Sequence, residues 1–374
     1  MKGHIRSRGK QSYELKFDAG RDPKTGKRNI KYQSFRGTKR EAQVKLAELI
    51  AAVSKGAFVE PNKITVADFV RARVDQWEAS GDITARTSQR YRQLLANQIV
   101  PHIGAQPIQK LSRLDIEGWH TALRGTIAAR TVGHAHRVLG KALGDAEVDG
   151  LVVRNVCKLR KAPKVVEREM AIVHDVPAFV DKIRSSRLFA LATLALFAGM
   201  RLGEVLAVKE GRLDLDRGVV EVREALEETK ANGIILKAPK TDAGRRDITL
   251  PDVAIEALRE HRRQLLEMRM RLGLGKLPDD ALMFANLEGR PMRPSTVSSD
   301  WGDLAEAIGM PEITFHGLRH THASQLIASN IDIVTISKRL GHAKPSVTLA
   351  VYAHMFTTDD RKAAAAINAA LGVS

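Results

Sequence analysis

A chain of 374 residues is longer than one ordinary domain and accommodates two or three, each large enough to bury a core. It carries 60 Lys and Arg against 43 Asp and Glu, a formal net charge of +17, which favours a polyanionic partner, nucleic acid first, and argues against an acidic one. No apolar run approaches the ~20 residues of a bilayer span, no apolar core marks a signal peptide, and the single cysteine, Cys157, leaves no intrachain disulfide or cysteine-rich zinc site, so a reduced, cytoplasmic compartment and no membrane partner are expected.

Residues 1–63 hold 16 Lys or Arg but only 6 Asp or Glu, over half of the net excess in a sixth of the chain. Within them Tyr13-Glu14-Leu15-Lys16-Phe17 and Ile30-Lys31-Tyr32-Gln33-Ser34-Phe35 alternate as strands do, and Asp22-Pro23-Lys24-Thr25-Gly26 supplies the turn. Thr38 reads as the N-cap of a helix running from Lys39 to about Val53, with Ala42, Leu46, Leu49 and Val53 as its apolar stripe. A flexible basic tail would lack this periodicity, so a small basic sheet packed on one helix is expected.

After Pro61, Thr65 with Asp68 three residues on begins a second helix in a variant of the capping box. Amphipathic segments follow at 65–79, 84–99, 112–124 and 128–148, broken at Gly81-Asp82, from Pro101 to Pro107 and at Gly125, with no strand pattern between them. An all-helical domain results, whose helix faces carry Arg86, Arg90, Arg92, Arg130, Arg137 and Lys141. The basic, proline-broken stretch Lys158 to Lys164 reads as a linker.

Beyond it, Val176 to Leu206 is strongly helical, with Leu188 to Phe197 apolar enough to be buried on all sides. Leu213–Arg223 and Ile234–Leu250 read as strands, the second split by a turn at Thr241-Asp242-Ala243-Gly244 in which Gly244 takes a left-handed conformation. Helices resume from Pro251 to Arg271 and from Ser295, Phe315, Asp332 and Ser346, and a last one, 359–371, is apolar on one face.

This second half carries the chemistry. Arg201 and Glu204 stand three residues apart, so a carboxylate can orient a guanidinium whose planar fork matches phosphate oxygens; alone the pair reads equally as a surface ion pair. Lys240 precedes the hairpin turn and Arg245-Arg246 follow it, a place for a proton-donating lysine, with Lys237 as a rival. His316 and Arg319 share a face near a helix start, where free N–H groups also favour an anion. His320 and His322 raise the alternative of a metal site, but no acidic residue lies among them and no zinc-binding spacing occurs. Gly341-His342 ends one helix, and Tyr352, one of four tyrosines, follows ten residues later; clustered positive charge favours its phenolate as a nucleophile.

The order Arg201, Lys240, His316-x-x-Arg319, Gly341-His342, Tyr352 resembles that of the tyrosine recombinases, the phage integrase family. Tyr91, Pro101-His102-Ile103-Gly104 and Leu139-Gly140-Lys141-Ala142-Leu143 extend the likeness into the helical domain. Gly317 departs from the acidic residue often found there and Gly244 from a frequent Ser.

The resemblance implies a multi-domain α+β fold. Residues 1–63 would be an arm-type DNA-binding domain, a three-stranded sheet plus helix; 64–165 a helical, SAM-like core-binding domain with its linker; and 166–374 a mainly helical catalytic domain with a small antiparallel sheet. It implies a site-specific recombinase that integrates and excises a prophage or other mobile element. Tyr352 forms a 3′-phosphotyrosyl link, Arg201 and Arg319 neutralise the phosphate, and Lys240 protonates the leaving oxygen. His316 acts as base, His342 as donor to the phosphate, and Glu204 orients them, with no cofactor or metal. Implied partners are double-stranded DNA at core and arm sites, further copies in a homotetramer on DNA that the helix 359–371 helps to dock, an excisionase, and a host DNA-bending protein such as integration host factor, all at the bacterial nucleoid. The basic residues assigned to DNA are Lys10, Lys16, Arg28, Lys31 and Arg36 in the first domain, Arg86, Arg90, Arg137 and Lys141 in the second, and Arg245 in the third. The competing readings are a type IB topoisomerase, an inactive DNA-binding regulator and a metal-dependent nuclease.

Overall fold

The computed structural model describes residues 3–21, 26–56, 58–165, 170–229, 232–239, 241–286, 288–356, 365 and 367–371. The chain divides into two compact units, Met1–Val166 and Glu167–Ser374. None of the helices among the described residues is long and apolar enough to cross a membrane.

The first unit has two hydrophobic cores. Strands β1 (Gly3–Gly9), β2 (Ser12–Arg21) and β3 (Arg28–Arg36) form an antiparallel sheet in that order. Period-2 alternation turns Leu15 and Phe17 of β2 onto helix α1 (Lys39–Ser54), where they meet Ala42 and Leu46. The opposite parity leaves His4, Lys16 and Tyr32 in one cross-strand row of the open face. Strand β1 had no alternation to announce it; Gly-His-Ile-Arg-Ser-Arg-Gly is an edge strand held by pairing with β2. Thr38 caps α1 as expected, exchanging hydrogen bonds with Glu41 in a full capping box.

The second core is an all-helical bundle of α2 (Val66–Ala79), α3 (Ala85–Leu94), α4 (Arg113–Leu123) and α5 (Ala129–Val148), closed around Val70, Val74, Ile99, Trp119 and Leu139. The expected break at Pro101 does not occur there: α3 runs on as a π-helical stretch, Leu95–Gly104, with Pro101 inside it. Proline lacks an N–H and crowds the carbonyl one turn back, and the wider π turn accommodates both faults. Between the two cores the Glu60 carboxylate accepts from Lys31 at 2.7 Å, and the Gln109 amide donates to Glu60 O at 2.8 Å.

In the second unit the strongly helical stretch expected over 176–206 forms three helices: α6 (Val176–Ile183), α7 (Phe189–Ala198) and α8 (Leu202–Leu206). Helix α7 is buried almost all round, as its sequence required, and packs against α9 (Asp252–Arg271) and α11 (Phe315–Ala328). The strand region forms two sheets. Strands β4 (Leu213–Asp214), β5 (Val219–Val222) and β8 (Arg246–Thr249) make one, and β6 (Ala225–Thr229) with β7 (Gly233–Lys237) makes the other. The stretch expected as one split hairpin, 234–250, therefore contributes β7 and β8 to different sheets. Gly244 lies outside the left-handed region; a Cβ there would collide with the Pro239 ring, so close approach explains the glycine. Helices α10 (Pro294–Ala307), α12 (Ile333–Leu340) and α13 (Pro345–Tyr352) complete the unit. The helix expected over 359–371 falls largely outside the described residues.

Candidate active site

Helix α7 stops at Gly199, whose left-handed backbone (φ 63°) turns the chain so that Arg201 becomes the N-cap of α8. A Cβ at Gly199 would lie 2.6 Å from the His322 ring, so both conformation and space demand glycine. The Glu204 carboxylate accepts from the Arg201 backbone N–H at 3.0 Å and from its Nη1 at 2.7 Å. Its other side accepts from Arg246 Nη2 at 2.8 Å. Burial pushes the Glu204 carboxyl up, yet the hydrogen bonds and charge of Arg246, with the charge of Arg201, outweigh it and hold the group below its ordinary range. One buried carboxylate thus fixes two guanidiniums, and the side chain of Arg201 stays 41% exposed.

Helix α11 begins at a Thr314 cap and brings His316, Arg319, His320 and His322 into the same region. Arg319 is 2% exposed and donates to the carbonyls of Gly199 and Leu340 and to His342 Nε2. Among the described residues no carboxylate lies within ion-pair distance of it. Burial, then the charge of Arg201, pushes Arg319 down to about 9. Because guanidinium only donates, His342 Nε2 must accept; its proton therefore sits on Nδ1 and is donated to buried Thr348 Oγ1 at 2.8 Å. Burial and the neighbouring arginines lower His342 to about 4. His322 is fixed likewise, receiving Arg339 Nε at 3.1 Å and donating from Nδ1 to Leu196 O at 3.0 Å.

Tyr352 closes α13 and is 2% exposed, packed in a small core with Ala323, Ile327, Ile336 and Leu340. Its hydroxyl lies 2.7 Å from His320 Nδ1. The His320 ring meets the exposed His316 ring edge to face, centroids 4.6 Å apart. Burial raises Tyr352 to about 12, against a smaller downward pull from Arg319. Burial first, then the charges of Arg319 and Arg201, also lowers His316.

The chain matches the model of the phage integrase family over residues 162–358, more than half of its length. It belongs to the phage integrase family. Among its relatives are a XerC-like tyrosine recombinase of Caldanaerobacter subterraneus, 24% identical over 96% of both chains, and an integrase of Streptomyces ambofaciens, 27% identical over 92% of this chain and 89% of that one. The fold is that of the Tn1549 transposon integrase solved with circular intermediate DNA (TM-score 0.69, 18% identity, 82% of this chain and 99% of that one). It is also that of a lambda integrase tetramer solved on a Holliday junction (TM-score 0.56, 20% identity, 91% and 92%). This family member is a tyrosine-type site-specific recombinase, a DNA strand-transferring enzyme.

Of the residues singled out in the sequence, the recombinase brings Arg201, Glu204, His316, Arg319, His342 and Tyr352 together; Lys240 lies outside the described residues. Against the Tyr352 hydroxyl stands His320, not His316. Sequence reasoning placed Arg246 only beside the hairpin turn, without its link to Glu204, and passed over Arg339. Arg246 shares the parity of Ile248 in β8, which turns it inward, and Arg339 follows the buried Ile336 of α12 by three residues, so both carried a readable signal.

The ten assigned DNA residues divide by structure. Lys10, Lys16, Arg36, Arg86, Arg90, Arg137, Lys141 and Arg245 are exposed. Arg28 is exposed but paired with Asp18 at 2.8 Å, and Lys31 is half-buried and paired with Glu60. On α3 and α5 the charges of Arg137, Arg90 and Arg130 converge on His134, which burial and they together lower, so these helices share one strongly basic face.

Proposed function

We propose that this recombinase cuts and rejoins DNA at the attachment sites of a prophage or related mobile element through a covalent 3′-phosphotyrosyl intermediate. The observation that carries the reading is Arg319: a buried guanidinium held by two carbonyls and an imidazole, without a carboxylate of its own among the described residues, beside the half-exposed Arg201. Such an arrangement holds uncompensated positive charge in a low-dielectric pocket, and a phosphodiester supplies the missing anion.

In the reaction the oxygen of Tyr352 forms a bond to phosphorus as the bond to the 5′ oxygen breaks, and Lys240 gives that oxygen a proton. The phosphoryl group stays activated on tyrosine, so the free 5′-hydroxyl of a partner strand can reverse the step on a new duplex without ATP. Arg201 and Arg319 carry the charge that builds on the non-bridging oxygens, with Glu204 and Arg246 fixing the orientation of Arg201. His316, exposed beside the arginines, offers a further hydrogen bond to the phosphate. His342 holds the Arg319 fork and becomes a phosphate donor only if its ring gives up that contact.

Residues 1–63 would bind arm sites through the open face of the sheet, 64–165 the core site through the basic face of α3 and α5, and 166–374 would act on the scissile phosphate. Strand exchange would run in a homotetramer on DNA, with an excisionase and a host bending protein setting direction, in the bacterial cytoplasm. Two linked DNA contacts raise the effective concentration at each site.

The test is a nicked suicide duplex bearing the element's own junction, incubated with wild type and with Tyr352→Phe. A denaturant-stable adduct with wild type and none with the variant is the expected result. No adduct with wild type, or an equal one with the variant, would overturn the reading.

A further inference from the structure

The proposed attack by Tyr352 needs a proton acceptor, and the family-derived expectation put His316 in that role. In the structure the only nitrogen among the described residues within hydrogen-bond distance of the phenol oxygen is Nδ1 of His320, at 2.7 Å. His316 lies one helical turn earlier, its ring packed on His320 rather than on the tyrosine. We propose that His320 is the catalytic base for Tyr352, taking the phenolic proton onto Nδ1 as the tyrosyl–phosphorus bond forms and returning it when the strand is resealed. The inference rests on the strand-transfer reading above.

Geometry favours an acceptor role. The rings of His320 and Tyr352 sit with centroids 5.7 Å apart and tilted, and the contact joins α11, which carries Arg319, to α13, which carries the nucleophile. The groups that face His320 are His316 and Arg319 from its own helix and Tyr352 from α13; burial, then His316 and Arg319, lowers it to about 4, so it is unprotonated and free to accept at neutral pH. At rest the phenol, raised to about 12, keeps its proton. The mismatch disappears along the reaction: an oxygen bonding to phosphorus loses its basicity, and an incoming phosphate anion favours the imidazolium. The electron pair of the O–H bond becomes the P–O bond, the P–O5′ pair leaves with the 5′ oxygen, and the proton rests on His320 until the reverse step.

The experiment compares wild type, His320→Asn and His320→Ala in two single-turnover reactions on core-site DNA carrying the element's own junction. The first is adduct formation on the nicked suicide duplex. The second joins a 5′-hydroxyl strand to a 3′-phosphate p-nitrophenyl ester, which expels p-nitrophenolate and uses neither Tyr352 nor a proton on the leaving group. Asn places a polar atom near the Nδ1 position but is no base. The expected loss of adduct formation exceeds the loss of joining by ~100-fold. Added imidazole restores adduct formation to the Ala variant. Across the neutral range the wild-type rate stays flat, because His320 is already unprotonated, while the Asn variant climbs with pH as hydroxide takes over. Equal losses in both reactions would make His320 a support of the pocket and overturn the proposal, as would unchanged or faster adduct formation. Failure of wild type to form any adduct would instead overturn the strand-transfer reading itself.

Discussion

Three imidazoles, His322 buried and His320 and His342 half-buried, make the second unit acid-sensitive. His320 and His342 sit near 4 and His322 near 3, below the ordinary 6.5, in each case first because burial disfavours the charged ring. The unfolded chain therefore takes up protons before the folded one does. Stability from these groups is complete above 6.5 and is lost as pH falls from there toward 4 and then 3. Each histidine contributes a slope of about 1.4 kcal/mol per pH unit within its window. Denaturant midpoints measured across acid pH should fall from well above the carboxylate range; a midpoint flat until the carboxylates titrate would contradict the burial of these rings. Glu204, itself depressed, adds its loss only below the ordinary carboxylate value of 4.5. None of this was readable from residue spacing. Spacing placed Arg201 beside Glu204 and His316 beside Arg319, because those pairs lie within one turn. The Arg319 contact to Gly199 joins residues 120 apart and the Arg339 contact to Phe197 residues 142 apart, distances over which periodicity carries no information.

Two glycines at helix ends do the work of positioning at the next scale. Gly199 ends α7 and Gly341 ends α12, both left-handed, and a Cβ at Gly341 would meet Arg246 Nη1 at 2.7 Å. Alanine at either site should cost about 1–2 kcal/mol for the backbone and about 1–3 kcal/mol more for overpacking. Gly309 is the control: it is left-handed with open space around it, so Gly309→Ala should show the backbone loss alone. Thermal unfolding of the three variants decides the matter, and equal losses at all three would contradict the close approach. Gly341→Ala should also slow adduct formation, because it displaces Arg246 from Glu204. Most elements were legible in the sequence: α1 and α2 begin just after the caps Thr38 and Thr65, and α9 and α11 begin within a residue of the starts expected at Pro251 and Phe315. The misses have local causes. Strand β6, Ala-Leu-Glu-Glu-Thr, is made largely of good helix formers and becomes a strand only through pairing with β7. Pro101 was taken as a stop because proline breaks an α-helix, whereas the chain answers with a π stretch.

For the whole molecule, the uneven charge is the basis of the proposed division between an N-terminal DNA-binding module and the part that acts on the phosphate. Removal of residues 1–63 should weaken binding to arm DNA and reduce its salt dependence, by about 0.9 in the log–log slope for each phosphate that is no longer neutralised. Cleavage at the core site should survive. Equal arm binding by the truncated chain, measured by salt titration, would sink the arm assignment. The paired Arg28 and Lys31 should contribute less to that slope than the exposed Lys10, Lys16 and Arg36. The truncation also removes Glu60, whose carbonyl accepts from the Gln109 amide, and the α1 residues that line one cleft with Leu111 and Val156, so some loss of stability in the helical bundle is expected as well. The sequence by itself determined the class of partner, most of the elements in their order and a set of candidate reacting groups, because charge, capping and apolar period are properties of neighbours along the chain. Tertiary structure alone decided which groups meet: that Glu204 answers to two arginines, that Arg319 has no carboxylate within ion-pair distance among the described residues, and that His320 rather than His316 reaches the Tyr352 hydroxyl. Those pairings depend on how α7, α11, α12, α13 and β8 close on one another, which no local rule encodes.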